Sequence, residues 1–257
     1  MVILTGKISK GTLMDQVYIP KERPLGFELG APVLIKPLEE EEIKPVYYNI
    51  DKLESVKVII VQKILAELNF ADNMIITGSF LEKGFQFNDI DIILINKNVI
   101  DSKKVEQRLN KLFDLRFHIL ILSYNILLKG LETDPLYQAM LSRYISKKKI
   151  IFRYKNKINY KLLDLHLLKS KIFVADFDYL TGKQKYNMAR NLIAIFLFLN
   201  NKKISNEIID IAIKNLLKEE ASNIKENMIN KPIFLKEYKK LYNKLFKIIL
   251  KGIKNGH

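Results

Sequence analysis

Residues 78–95 read GSFLEKGFQFNDIDIILI, and these residue types in this order point to phosphate and metal chemistry. Asp89 and Asp91 stand two apart at the start of an apolar run, so in a strand their side chains share one face. Along a strand their Cα atoms lie roughly 7 Å apart, which lets both carboxylates converge on one hard cation or a pair. Gly78 and Ser79 follow another apolar run, Met74 to Thr77, at a point where a strand turns into a helix. Glycine there lets the backbone approach a phosphate. The first N–H groups of the helix and the serine hydroxyl can hold phosphate oxygens. Phosphoryl and nucleotidyl transfer need both halves, because metal neutralises the triphosphate, activates the attacking hydroxyl and stabilises the leaving pyrophosphate. D-x-D alone usually marks a solvated strand start, and G-S alone carries almost no information. The order narrows the reading: apolar strand, G-S, a polar loop over 80–88, then D-x-D opening a second apolar strand.

These residues need elements to position them. Val56, Ile59, Ile60, Ile64, Leu65 and Leu68 recur at helical spacing, which predicts an amphipathic helix over 51–69. Strands follow at Met74 to Thr77 and Ile90 to Ile95, then a helix at Ser102 to Leu112 capped by Asp101 or Ser102, then a strand at Arg116 to Leu122. From about 155 the pattern is helical, with helices over 159–170, 183–200, 205–219 and 234–253, and Ser205 as an N-cap. The last helix sets Leu235, Tyr238, Leu241, Leu245, Ile248 and Ile249 against a lysine-rich side. Such a stripe reads as bundle core with a solvated face; a basic rim for RNA or DNA is the alternative. Residues 1–38 are short strand-like pieces, and PLEEEEIKP (37–45) reads as a linker. The fold class is therefore α+β: a β-rich segment at 1–43, a mixed sheet with helices at 44–125, and a mostly helical part at 126–257.

Composition bounds what else the chain can be. With 257 residues and 48% apolar content it can bury a core. It has no Cys, which excludes disulfides, thiolate metal sites and a cysteine nucleophile and fits an intracellular setting. No signal-peptide pattern opens it, and the longest apolar run, Leu192 to Leu199, is too short to span a bilayer. The expectation is a cytoplasmic protein with no membrane partner. A net charge of +15 favours a polyanion such as nucleic acid or nucleotide. Only six of the 43 basic residues are Arg, and abundant Lys, Ile and Asn also mark an AT-rich genome or heat adaptation.

The 78–95 stretch resembles the DNA polymerase β-like nucleotidyltransferase superfamily, whose signature is hydrophobic-G-[GS], a short loop and [DE]-h-[DE]-h. The likeness spans residues 50–125. It implies a small nucleotidyltransferase-type mixed sheet, Mg²⁺ or Mn²⁺ held by Asp89 and Asp91, and an NTP whose phosphates meet Gly78 and Ser79. Asn88 stands where minimal members carry Ser, and the loop has no Arg, leaving Lys83 as its only cation for phosphate. The superfamily usually carries a third carboxylate on the next strand, and here FHILILSYNIL (117–127) puts His118 in that place. A neutral His could act as base or nitrogen ligand, although imidazole suits Mg²⁺ poorly; the bland reading is a polar residue in a cleft. Asp114 enters the site only if a bulge shifts the strand. His166 reads as a core or boundary helix residue, and His257 is the last residue.

Residues 8–38 resemble the swapped-hairpin domains of AbrB-type regulators, with Gly11, Asp15, Tyr18, Ile19, Pro20, Lys21, Glu22, Leu25, Gly26, Gly30, Val33 and Ile35 at matching places. Two β runs are expected, Gln16 to Ile19 and Pro32 to Ile35. About forty residues cannot bury an adequate core alone. The resemblance implies a homodimer of interleaved copies, with Lys7, Lys10, Lys21 and Arg23 available for DNA phosphates. The alternative is a hairpin that packs or dimerises without DNA. For the whole chain two functions stand: a metal-dependent transferase moving NMP from an NTP to a hydroxyl or phosphate acceptor, RNA and protein included, or a catalytically impaired nucleotide- or nucleic-acid-binding regulator.

Overall fold

β1 (Lys7–Ser9) and β2 (Gln16–Tyr18) pair antiparallel with Ile8 opposite Val17, closing a hairpin in which the Gly11 N–H donates to Asp15 Oδ1 at 3.4 Å. The structure is a computed structural model that describes residues 4, 6–33, 35, 43–96 and 101–255. It divides the chain into two units, Met1–Ile43 and Lys44–His257, of which the hairpin belongs to the first. The strand partner differs from the expected one: Gln16–Tyr18 pairs with Lys7–Ser9, and the described residues of 32–35 form no strand. Pro32 has no N–H to give a ladder, whereas residues 10–15 make a short connection that closes the observed pair. Leu34 and most of the acidic 37–45 stretch lie outside the described residues. No described residue of this unit is buried; Leu13, Leu25 and Leu29 are almost fully exposed.

The second unit is built on a five-stranded mixed sheet of β3 (Val46–Tyr48), β4 (Asn73–Thr77), β5 (Ile90–Ile95), β6 (Phe117–Leu122) and β7 (Tyr144–Ser146). The strand order is β3-β7-β4-β5-β6. Every pairing is antiparallel except β5 with β6, and a parallel pair needs a crossover. That crossover is α2 (Ser102–Phe113), whose start is fixed by Asp101 accepting from the N–H groups of Lys103 and Lys104. β4 and β5 lie inside the sheet, and Met74 to Ile76 and Ile92 to Ile95 are buried. β7 comes from beyond residue 125, so the sheet takes a strand from the part that reads as helical; three residues, Tyr-Ile-Ser, are too few to show a period.

Helix α1 (Ser55–Glu67) buries Val61, Ile64 and Leu65, while Val56 and Ile59 of the expected stripe line an exposed groove. After β6, α3 (Tyr124–Thr133) and α4 (Pro135–Met140) lead to β7; the sequence reading has neither helix. The remaining helices are α5 (Tyr160–Ala175), α6 (Gly182–Leu199), α7 (Asn206–Leu217), α8 (Ala221–Lys225) and α9 (Lys231–Lys254). α6 is the hub, packing against α4, α5, α7 and α8. Its Leu192 to Ile195 are buried in succession, as a helix surrounded by others requires. The seam of α9 is Phe234, Tyr238, Leu241, Leu245 and Ile249, with Ile248 exposed, and its lysines face solvent. Among the described residues no helix is long and apolar enough to cross a membrane.

Candidate functional site

Thr77, the last residue of β4, stands opposite Asp91 in the antiparallel ladder, so Gly78 leaves the sheet beside Asp91. Gly78 has φ 83° and ψ −161°, a backbone region that only glycine adopts readily. A Cβ at this position would fall within contact distance of Asp91 Oδ2. The Asp91 carboxylate therefore occupies the space that a side chain at 78 would take. A single 3-10 turn follows, Ser79–Leu81, closed by the Leu81 N–H donating to Gly78 O at 3.2 Å and the Glu82 N–H to Ser79 O at 3.0 Å. Among the described residues the Ser79 hydroxyl has no hydrogen-bond partner, and the residue is half-buried.

Asp89 precedes the first residue of β5, and Asp91 lies one residue inside it. Burial raises the pKa of Asp91 above the ordinary carboxylate value, and the charge of Asp89 raises it further. His118 and Lys183 oppose that rise. The parallel register sets His118 of β6 beside Asp91, with Nδ1 3.3 Å from Asp91 Oδ1. The imidazole is exposed and can turn either nitrogen to the carboxylate. The β5–β6 ladder runs without a bulge from Ile90 and Phe117 to Ile95 and Leu122. Asp114 accordingly stays out of the site: it ends α2 in a left-handed conformation, φ 52°.

Lys83 is exposed and makes no ion pair among the described residues. The cation whose charge reaches Asp91 is Lys183, in the first turn of α6, a residue the sequence reading passed over. A signal for it was available. Thr181 and Gln184 form a capping box, which places Lys183 at the positive end of the helix dipole, where a lysine is unfavourable unless something anionic faces it.

The loop between the two halves is held from both sides. Lys57 of α1 is fully buried, with Nζ donating to Glu82 O at 2.5 Å and 3.1 Å from Glu54 Oε2. The same ammonium lies 5.4–5.7 Å from the ring centroids of Phe80, Phe85 and Phe87. Glu54 in turn accepts from the Gly84 N–H at 2.6 Å, which with Lys57 holds its carboxyl down at about 2. On the opposite side Glu82 meets Arg143 at 3.6 Å and Lys225 at 3.7 Å. Position 57 falls off the apolar stripe of α1, so nothing in the periodicity marks it as buried.

Among the described residues no three His, Asp or Glu side chains gather as a metal cage. The donor set still suits a hard divalent ion, because Mg²⁺ is commonly held by one or two carboxylates with substrate phosphates completing the shell. Two acids close enough to raise the pKa of one, beside a backbone with no side chain in the way, meet that requirement. His166 is structural: its Nε2 is 3.1 Å from Asp134 Oδ1, the cap of α4, in a mostly buried pair. His257 lies outside the described residues. Compared with protein-family models, with curated proteins and with solved structures, the chain shows no match.

Proposed function

We propose that this chain is a divalent-metal-dependent nucleotidyltransferase that moves NMP from an NTP to a hydroxyl or phosphate acceptor. The observation that carries the reading is the abutment of Gly78 and Asp91 at neighbouring strand ends. It joins the two halves of the motif that resembles the DNA polymerase β-like superfamily. In this reading Asp89 and Asp91 hold Mg²⁺ or Mn²⁺, which when bound screens the phosphate charge and polarises the reacting oxygens. Gly78 and Ser79 take the phosphate tail at the turn, with the unpartnered Ser79 hydroxyl as a donor. Lys183 supplies the cation that Lys83 was expected to supply. His118 orients Asp91 through Oδ1 and can accept a proton from an incoming hydroxyl.

One observation favours a second reading, a nucleotide-binding regulator that catalyses weakly. The position beside Asp91 on β6 holds His118 rather than a third carboxylate. Pyrophosphate release from each NTP with Mg²⁺ or Mn²⁺ and candidate acceptors separates the two. The transferase releases it, and Asp89→Asn with Asp91→Asn abolishes release. A wild-type chain that binds NTP in a metal-dependent way and releases nothing is the regulator.

The unit Met1–Ile43 is proposed as a homodimerisation segment of the AbrB-like kind. Its support is that none of its described residues is buried, so its apolar side chains await a partner. DNA contact through its lysines belongs to the same proposal.

A further inference from the structure

A cavity of about 400 Å³ opens in the second unit between the β3–β7 edge of the sheet and the loop that leads into α7. It shares no lining residue with the Gly78–Asp91 site. Three lysines line it, Lys155, Lys202 and Lys203, and no acidic residue does. None of the three makes an ion pair among the described residues. Like charges gathered without counter-charges are unfavourable, so the site is electrostatically prepared for an anion. Ser205 caps α7 at its rim, adding the positive end of that helix.

The polar lining can be read for direction. Gln138, buried at 6% exposure, donates Nε2–H to Leu131 O at 2.7 Å and to Asn156 Oδ1 at 2.8 Å. A carbonyl can only accept, so Leu131 fixes the orientation of the glutamine amide. Asn156 must then offer its oxygen to Gln138, which leaves its Nδ2 to donate to Asn201 Oδ1 at 3.2 Å. The relay therefore ends on Asn201 Nδ2, a donor with no acceptor among the described residues. Three ammonium groups and a terminal amide N–H, all solvent-exposed, are thus without a protein acceptor among the described residues and open to one from a ligand.

The remaining wall is aromatic. Tyr48 lines the cavity and is held by Tyr144, whose ring stacks on it at 4.8 Å and 19°. Tyr154 also lines it and keeps 38% of its surface exposed. Cationic donors beside tyrosine faces are the two components that bind a nucleotide through phosphate and base stacking.

We infer that this cavity is a second nucleotide-unit site, taking one phosphate on Lys155, Lys202 and Lys203 and one base against Tyr48 and Tyr154. The inference does not depend on the transferase reading, because no metal and neither aspartate takes part. The unit is either a free mononucleotide or one residue of a single strand. Both are tested by titrating the full chain, in EDTA, with nucleoside monophosphates, inorganic phosphate, and fluorescent oligo-dT and oligo-U. EDTA silences a metal-dependent site, so failure here and failure of the transferase reading are separate results. The expected result is binding of a mononucleotide or an oligonucleotide that is unchanged by Asp89→Asn with Asp91→Asn. Lys202→Ala with Lys203→Ala should weaken it about ten-fold or more and, for an oligonucleotide, flatten the slope of log affinity on log salt by about 0.7, the share of one phosphate. Tyr154→Ala should weaken nucleotide but not inorganic phosphate. Affinity for the oligonucleotide far above that for the mononucleotide identifies a strand, and equal affinities identify a free nucleotide. The inference is overturned if nothing binds in EDTA, if the double lysine variant binds as wild type, or if inorganic phosphate competes as well as nucleotide and Tyr154→Ala has no effect.

Discussion

Asp91 rests its carboxylate over the backbone of Gly78, in the space where any other residue at 78 would carry its Cβ. This contact fuses the turn and the acid pair into one site, and it makes the glycine irreplaceable on two counts. Gly78→Ala must strain a backbone at φ 83° and also displace the carboxylate. A loss of about 1–3 kcal/mol in unfolding free energy is expected from the strain. Mn²⁺ affinity, read by paramagnetic relaxation, should fall with it, whereas Ser79→Ala should leave stability near wild type.

Asp91 also predicts a stability gain from removing a carboxylate that the proposed function assigns to metal. Its folded-state pKa is raised, first by burial and then by Asp89, so the native protein binds the Asp91 proton more tightly than the unfolded chain does. Above that raised pKa the ionised group costs stability, and protonation relieves the cost as pH falls. Asp91→Asn should therefore raise the urea midpoint at pH 7 without divalent metal. The difference should shrink toward zero in acid, and Mg²⁺ should stabilise the wild type alone.

Glu54 has the opposite sign. Its carboxyl is held down at about 2 by the Gly84 N–H, its own backbone N–H and Lys57. It therefore contributes stability that is fully present above the ordinary glutamate range and is lost as pH falls toward about 2. Glu54→Gln should flatten the acid limb of the stability curve in that window, as urea melts at stepped pH would show.

Lys57→Met keeps the volume and removes the ammonium that bonds Glu82 O beneath the phenylalanine rings. The orphaned carbonyl and loosened loop should cost about 1–3 kcal/mol. Amide exchange at Gly84 should accelerate relative to the strands.

Lys183 and Lys83 offer a direct contrast. Lys183→Ala should weaken NTP binding about ten- to a hundred-fold, the equivalent of a charged contact of about 1.5–3 kcal/mol. Lys83→Ala should change it little. Isothermal titration with Mg²⁺ present would distinguish them.

The strands at 73–77, 90–95 and 117–122 were legible because they are mostly apolar runs bounded by polar residues, and the caps Asp101 and Ser205 were legible by residue type. The sequence reading also named Gly78, Ser79, Asp89, Asp91 and His118, since the pattern is local and the parallel register carries His118 to Asp91. β7 was hidden by its length, and its place between β3 and β4 is set by non-local pairing that no window displays. Lys57 was hidden because its role depends on what packs around it, away in sequence, whereas Lys183 was marked only by the capping box beside it and not by what it faces. The expected strand at 32–35 was read as the partner of 16–19 across a Pro- and Gly-rich turn, where the hairpin from 7 to 18 offers a shorter loop to close.

The antiparallel pairing of β4 with β5 has a consequence for how the protein comes into being. Both walls of the candidate site leave the ribosome within one short stretch, separated by a loop whose closure is entropically cheap. Lys183 is synthesised about ninety residues later, and its helix matures only with the bundle around it. A nascent chain would carry both aspartates of this one strand before it carried the lysine whose charge opposes the rise at Asp91.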